Sequence, residues 1–287
     1  MDYRSNKLSP AILRPLVRAA LAEDIGGGDA TTMAVVPEEI EVAAALVTRQ
    51  DCVCAGLPVL EAVFREIDGR CMVTALVAEG ECCPARTELA RINGPARAVL
   101  TGERTALNFM QRMTGIATLT RTFVNAASCR TQILDTRKTT PGLRVLEKYA
   151  VAVGGGTNHR FGLFDRIMIK DNHRRIAALE GPGSIARAVA ACRRRFPNLL
   201  VEVEADTLEE VEQACEARAD FILLDNMSDE EIAEAVELVE GRIPLEASGN
   251  VSLERVAALA AIGVDFISVG ALTHSAPAID LALDIEI

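Results

Sequence analysis

The sequence has no tryptophan, two tyrosines and eight phenylalanines, so aromatics make up only 3% of its 287 residues. It also lacks a surplus of positive charge: 30 Lys and Arg face 41 Asp and Glu, a formal net charge of −11. Without stacking platforms or a phosphate-neutralising excess, nucleic acid is excluded as a partner. No window approaches the roughly 18 uninterrupted apolar residues of a membrane span, so no membrane partner is expected. The stretch from Met1 to Asp24 scatters charges through its apolar positions and reads as an amphipathic helix, not a leader peptide. None of the eight cysteines forms a C-x-x-C pair or has a second ligand pair at metal-site spacing. Reduced thiols in a cytoplasmic protein are the expectation. There is no G-x-x-x-x-G-K-S/T phosphate loop, and Gly154-Gly155-Gly156 does not make a G-x-G-x-x-G fingerprint.

What is present is a globular balance, 49% hydrophobic and 25% charged, at a length suited to one large or two ordinary domains. The charge is unevenly spread. From Arg130 to Arg175 there are ten basic residues and four acidic ones, which leaves that segment at +6 and the rest of the chain at −17. Two of the three histidines, His159 and His173, lie in the same stretch.

Residues 8–23 show helical apolar spacing at Leu13, Leu16, Val17, Ala20 and Leu21. Between 39 and 100 the texture turns to short β-like runs at 42–47, 71–77 and 88–92, interrupted by a helical segment at 58–67. Residues 101–127 read as a helix with a break at Gly115. Beyond 130, apolar runs end repeatedly in polar residues, at 132–134, 167–169, 199–204, 221–224, 245–247 and 266–269. The last four begin 21 to 24 residues apart. Helical stretches beginning at Thr207, Ser228 and Ser252 separate them, each opening on a residue suited to an N-cap. Regular strand–helix alternation implies parallel strands. Because the chemically useful residues sit at the C-terminal ends of successive strands, a barrel is favoured over an open doubly wound sheet. Six strands are legible, fewer than a closed eight-stranded barrel needs.

The basic island offers Arg137, Lys138, His159, Arg160 and Lys170. Converging cations repel one another, so their convergence implies a ligand with several negative charges. Lys170 at a strand end is alternatively placed for Schiff-base chemistry. Glu202 and Glu204 project to one side of their strand, and Asp225 ends the next. Glu204 and Asp225 suit sugar hydroxyls or a Mg²⁺ carried by a phosphorylated ligand. Ser248-Gly249-Asn250 and Ser268-Val269-Gly270 occupy the loops after the last two strands, where barrels commonly bind phosphate. Together these parts describe a site for a phosphorylated sugar beside a small polyanion.

The runs Thr136-Arg137-Lys138-Thr139-Thr140-Pro141-Gly142-Leu143-Arg144, Gly154 to Arg160 and Ile169-Lys170-Asp171-Asn172-His173 resemble the quinolinate phosphoribosyltransferase family. The likeness extends to Glu23-Asp24, Gly102-Glu103-Arg104, Val201–Glu204, Leu224-Asp225-Asn226, Glu246–Asn250 and Ile267–Ala271. It implies an α/β protein with an N-terminal open α/β sandwich (1–113, joined by 275–287) and a C-terminal partial (β/α) barrel (114–274). It also implies a cytoplasmic homodimer or higher homo-oligomer of NAD biosynthesis, with Arg104 contributed across the interface. The reaction implied is transfer of the phosphoribosyl group of phosphoribosyl pyrophosphate to quinolinate, with decarboxylation, giving nicotinate mononucleotide, diphosphate and CO₂. On the resemblance, Lys138, Lys170, Glu204 and Asp225 are catalytic. Thr136, Arg137, His159 and Arg160, with Lys138 and Lys170, bind quinolinate and the diphosphate. Glu204 and Asp225 take the ribose hydroxyls; Ser248, Gly249, Asn250, Ser268, Val269 and Gly270 take the 5′-phosphate. Mg²⁺ is the implied cofactor, carried by phosphoribosyl pyrophosphate near Glu204 and Asp225, with no dedicated protein metal site. Three other readings stand beside this one: a phosphoribosyltransferase with a different acceptor, a Lys170 Schiff-base lyase, and a non-catalytic polyanion-binding module.

Overall fold

The computed structural model describes residues 8–127, 131–179 and 181–286; Cys129 and Arg130, counted above, lie outside them. In chain order the elements are α1 (Pro10–Ile25), α2 (Ala30–Val35), β1 (Glu41–Thr48), β2 (Cys52–Val53), α3 (Leu57–Ile67), β3 (Met72–Ala75), β4 (Cys82–Cys83), β5 (Glu88–Pro95) and α4 (Ala96–Ala126). There follow β6 (Gln132–Leu134), α5 (Arg144–Val153), β7 (Ile167–Ile169), α6 (Asp171–Ala178), α7 (Ser184–Arg195), β8 (Val201–Ala205), α8 (Leu208–Glu216) and β9 (Phe221–Asp225). The chain ends with α9 (Asp229–Val239), β10 (Leu245–Ser248), α10 (Leu253–Ile262), β11 (Phe266–Ser268), α11 (Ala271–His274) and β12 (Leu281–Glu286). Two compact units are formed. The first comprises residues up to Arg121 with Thr139–Gly155 and the chain from Ala271; the second comprises Thr122–Lys138 and Gly156–Gly270.

In the first unit, α1 starts on Pro10, whose missing N–H costs nothing in a first turn. It buries Leu13, Val17 and Leu21, four residues apart on one face. The antiparallel sheet runs β12-β1-β5-β3, with Ala44 opposite both Ile92 of β5 and Ile285 of β12. Leu46, Leu89 and Ile92 are fully buried and form its core face. The expected break at Gly115 is absent: α4 is one helix of 31 residues. Gly115 serves close approach instead, because a Cβ there would lie 2.0 Å from the Pro277 carbonyl oxygen of the returning chain.

The second unit is built on six parallel strands in the order β6-β11-β10-β9-β8-β7. Among the described residues β6 and β7 do not pair, so the barrel is partial, as the six legible strands suggested. Thr157 adds one parallel rung beside Leu134 on the free side of β6. Helices start where expected: the side chains of Thr207, Ser228 and Ser252 accept the N–H groups of Glu210, Glu231 and Arg255. Ser228 and Glu231 close a reciprocal capping box. All five residues of β8 are buried, because a parallel strand is covered on both faces. Its alternation separates Val201, Val203 and Ala205 from Glu202 and Glu204.

The seven described cysteines are free. Burial pushes the Cys52 and Cys71 thiols up, and Cys83 up to about 11, so these behave as unreactive packing groups. No helix among the described residues is long and apolar enough to cross a membrane.

Candidate active site

At the C-terminal ends of the second unit's strands lies a cavity of about 480 Å³. Thr136, Arg137, Lys138, His159, Arg160, Lys170, Glu204, Asp225, Ser248, Gly249, Asn250 and Ser268 all line it. Residues singled out over 130 positions of sequence thus meet in one place. Val269 is instead buried, with its N–H donated to the Leu134 carbonyl at 2.9 Å. Gly270 is half-buried behind it. Arg104 belongs to the first unit and is exposed on α4.

The cationic side of the cavity is made by the segment after β6, by 159–160 and by the end of β7. Thr136 Oγ1 accepts the Lys138 N–H at 3.0 Å and fixes the turn that presents Arg137 and Lys138. Arg160 donates to the Arg166 carbonyl at 3.2 Å and faces the Met168 sulfur at 3.6 Å. Burial and the nearby Arg137 charge press the Arg160 guanidinium below its usual range. A guanidinium that feels a second one in this way is stabilised by an anionic ligand.

Opposite stand the carboxylates. Lys170 Nζ donates to Glu204 Oε2 at 2.5 Å, while Glu204 Oε1 accepts the Asp171 N–H at the start of α6 at 3.3 Å. Burial, then the charge of Glu204, raises Asp225 above the ordinary carboxylate range. That is a setting a bound cation or hydroxyl donor relieves.

The loops after β9 and β10 interlock. Asn226 takes a positive φ of 56°, donates its backbone N–H to the Ser248 carbonyl at 3.1 Å and its side-chain amide to Asp225 at 2.9 Å. Gly249, at φ 91°, packs so closely that a Cβ would lie 2.2 Å from Asn226 Oδ1. From α10, Arg255 binds the Gly249 and Met227 carbonyls at 3.3 and 2.7 Å and Asp229 at 2.8 Å. The turn is therefore held from below, with its backbone presented to the cavity.

Beneath the cavity a second layer was only partly legible. His159 Nε2 faces Glu202 Oε2 at 3.1 Å and Glu246 Oε2 at 3.3 Å, and its Nδ1 faces the Arg160 N–H at 2.6 Å. Both ring nitrogens thus face protein atoms. The remaining Glu246 oxygen, Oε1, accepts the Ser268 hydroxyl. Arg166 lies 3.5 Å from Glu202 and covers the Phe221 ring. Burial would depress the imidazole, but the facing Glu202 and Glu246 carboxylates outweigh it and hold the pKa up at about 9. Burial and the Glu202 charge push Glu246 up as well.

Met168, Leu223, Asn226 and Glu246 also line the cavity and had not been assigned a role. Strand alternation was the available signal for Glu246, since it shares a face with Ser248 two residues on.

Two family models match: "Quinolinate phosphoribosyl transferase, N-terminal domain" over residues 29–114 and "Quinolinate phosphoribosyl transferase, C-terminal domain" over 116–284. The chain is 42% identical, over 96% of its own length and 83% of the other's, to an Arabidopsis thaliana protein named nicotinate-nucleotide pyrophosphorylase (carboxylating), chloroplastic. It is 42% identical, over 96% of itself and 82% of the relative, to quinolinate phosphoribosyltransferase (decarboxylating) 2, mitochondrial, of Nicotiana glauca. A solved nicotinate-nucleotide pyrophosphorylase structure from Francisella tularensis superposes with a TM-score of 0.91 at 42% identity, covering 98% of each chain.

Proposed function

Because this chain belongs to the quinolinate phosphoribosyltransferase family, we propose that its cavity joins quinolinate to the ribose of phosphoribosyl pyrophosphate and releases CO₂. The products are nicotinate mononucleotide and diphosphate, and the reaction belongs to NAD biosynthesis. The observation that carries this reading is the division of one cavity into a cationic wall, a carboxylate pair and a glycine-containing turn.

In this reading Arg137 and Arg160 grip the two quinolinate carboxylates, with Lys138 and Lys170 over the diphosphate. Glu204 and Asp225 hold the ribose hydroxyls, and the 248–250 turn receives the 5′-phosphate together with the 268–270 loop. With both substrates held, the pyridine nitrogen attacks C1 of the sugar as the C1–oxygen bond to diphosphate breaks. Lys138 and Lys170 meet charge that grows on the leaving oxygens and so favour the transition state over the ground state. The ring nitrogen becomes positive, and the C2–carboxylate bond then breaks; its electron pair stays on C2 and takes a proton from water. Lys170 Nζ is paired with Glu204 at this end of the cavity.

Mg²⁺ dependence is part of the proposal. The raised Asp225 beside Glu204 supports a cation carried in on the diphosphate, where it would neutralise leaving-group charge. A homodimer in which exposed Arg104 completes the partner's site is proposed as well, as is a cytoplasmic setting, supported by the free thiols.

The test is mass-spectrometric detection of nicotinate mononucleotide from quinolinate, phosphoribosyl pyrophosphate and Mg²⁺, with nicotinate as the competing acceptor. Product from nicotinate but not from quinolinate would overturn the acceptor assignment.

A further inference from the structure

A carboxylate buried as deeply as Glu246 is costly unless both oxygens are engaged, and an apolar side chain would fill the same space at least as stably. Glu246 Oε1 accepts the Ser268 hydroxyl, and Oε2 lies at ion-pair distance, 3.3 Å, from His159 Nε2, so the two oxygens face different directions. We propose that Glu246 is a positioning residue that ties the acceptor-binding side of the cavity to its phosphate-binding side, one oxygen facing the His159 ring and the other holding the Ser268 hydroxyl.

On the acceptor side, the Asp135 carboxylate accepts the His159 N–H at 2.8 Å, so backbone and ring of His159 are both fixed. Arg160 follows directly, with its own N–H against the His159 ring, and its guanidinium direction depends on that anchor. On the phosphate side, Ser268 ends β11 and leads into the 268–270 loop. Glu246 occupies the strand between, with β9 on one flank and β11 on the other. Glu202 from β8 touches the same histidine and Arg166. Glu202, Glu246 and the Arg160 backbone are among the groups facing the His159 ring, with Arg166 and Ser268 one contact further out. Two carboxylates, Glu202 and Glu246, thus face the ring, with the Arg166 guanidinium beside Glu202 and the Asp135 carboxylate on the His159 backbone. The two carboxylates hold the His159 ring up at about 9, while burial and the Glu202 charge raise Glu246.

The claim about substrates rests on the reaction proposed above; the claim about the linkage does not. Glu246→Gln keeps the volume but removes the charge. Its KM for quinolinate and for phosphoribosyl pyrophosphate are each expected to rise by about tenfold or more, with kcat changed much less. Glu202→Gln reaches His159 but not Ser268, so it should raise the KM for quinolinate alone. Equal losses from the two variants in both KM values, or a loss in kcat only, would overturn the bridging role.

A second measurement needs no substrate. The chain has three histidines, so the His159 ring can be followed by ¹⁵N NMR and identified by its loss in His159→Asn. Its alkaline transition is expected to move down by more than one pH unit in Glu246→Gln. If that variant does not fold, Ser268→Ala serves, and the same resonance must respond to removal of the hydroxyl. An unmoved His159 titration refutes the linkage whatever the activity; a wild type that forms no product refutes the reaction and leaves the linkage to the titration.

Discussion

The Lys170 ammonium lies 2.5 Å from Glu204 Oε2, and the other oxygen of that carboxylate accepts the Asp171 N–H one residue along. The amine is thus engaged by a partner that is itself fixed to the start of α6. A Schiff base needs the nitrogen available to a carbonyl, and this ion pair occupies it. Borohydride with pyruvate or another small aldehyde or ketone is expected to leave the Lys170 peptide unmodified in mass. A reduced adduct on that peptide would restore the lyase reading.

Asp225 illustrates a cost accepted for binding. Its pKa is raised by burial and by Glu204, so the folded state holds the proton more tightly than the unfolded chain. That contribution to stability is present below the unfolded pKa and lost as pH rises through the folded one. At neutral pH the ionised group is therefore mildly destabilising, and Asp225→Asn should raise Tm by roughly 1–3 °C. The same variant should lose most of its affinity for phosphoribosyl pyrophosphate. A lowered Tm at pH 7 would contradict the electrostatic account.

Gly249 tests the phosphate turn. An alanine there combines a left-handed backbone with a methyl 2.2 Å from Asn226 Oδ1. Displacing Asn226 releases its bond to Asp225, so Gly249→Ala is expected to raise the KM for phosphoribosyl pyrophosphate by about tenfold or more, at unchanged circular dichroism. An unchanged KM would remove the turn from the site.

Arg104 tests the shared site. Neither Arg104→Ala nor Lys138→Ala should be active alone. Mixed after dissociation and reassembly, the two should recover roughly a quarter of wild-type activity, since half the dimers are mixed and each has one intact site. No recovery would place Arg104 and Lys138 in the site of the same subunit.

The sequence was most legible where one strand or one turn carries the signal. Caps at Thr207, Ser228 and Ser252 and the β8 alternation depend on neighbours a few residues away. The cavity's members were legible because strand ends of parallel units converge by geometry. Gly115 misled, since its reason lies in Pro277, distant along the chain and close in space. The Glu246–Ser268 contact joins adjacent strands and needs their register before it can be seen. His159, read as a bare cation for an anion, depends on two carboxylates that its own sequence neighbourhood does not show.

The central claim is most directly tested by incubating the full chain with quinolinate, phosphoribosyl pyrophosphate and Mg²⁺ and following nicotinate mononucleotide and CO₂ together. One equivalent of each is expected per diphosphate released, lost in Lys138→Ala while that variant stays folded. Diphosphate release without either product, or full activity in Lys138→Ala, would contradict it.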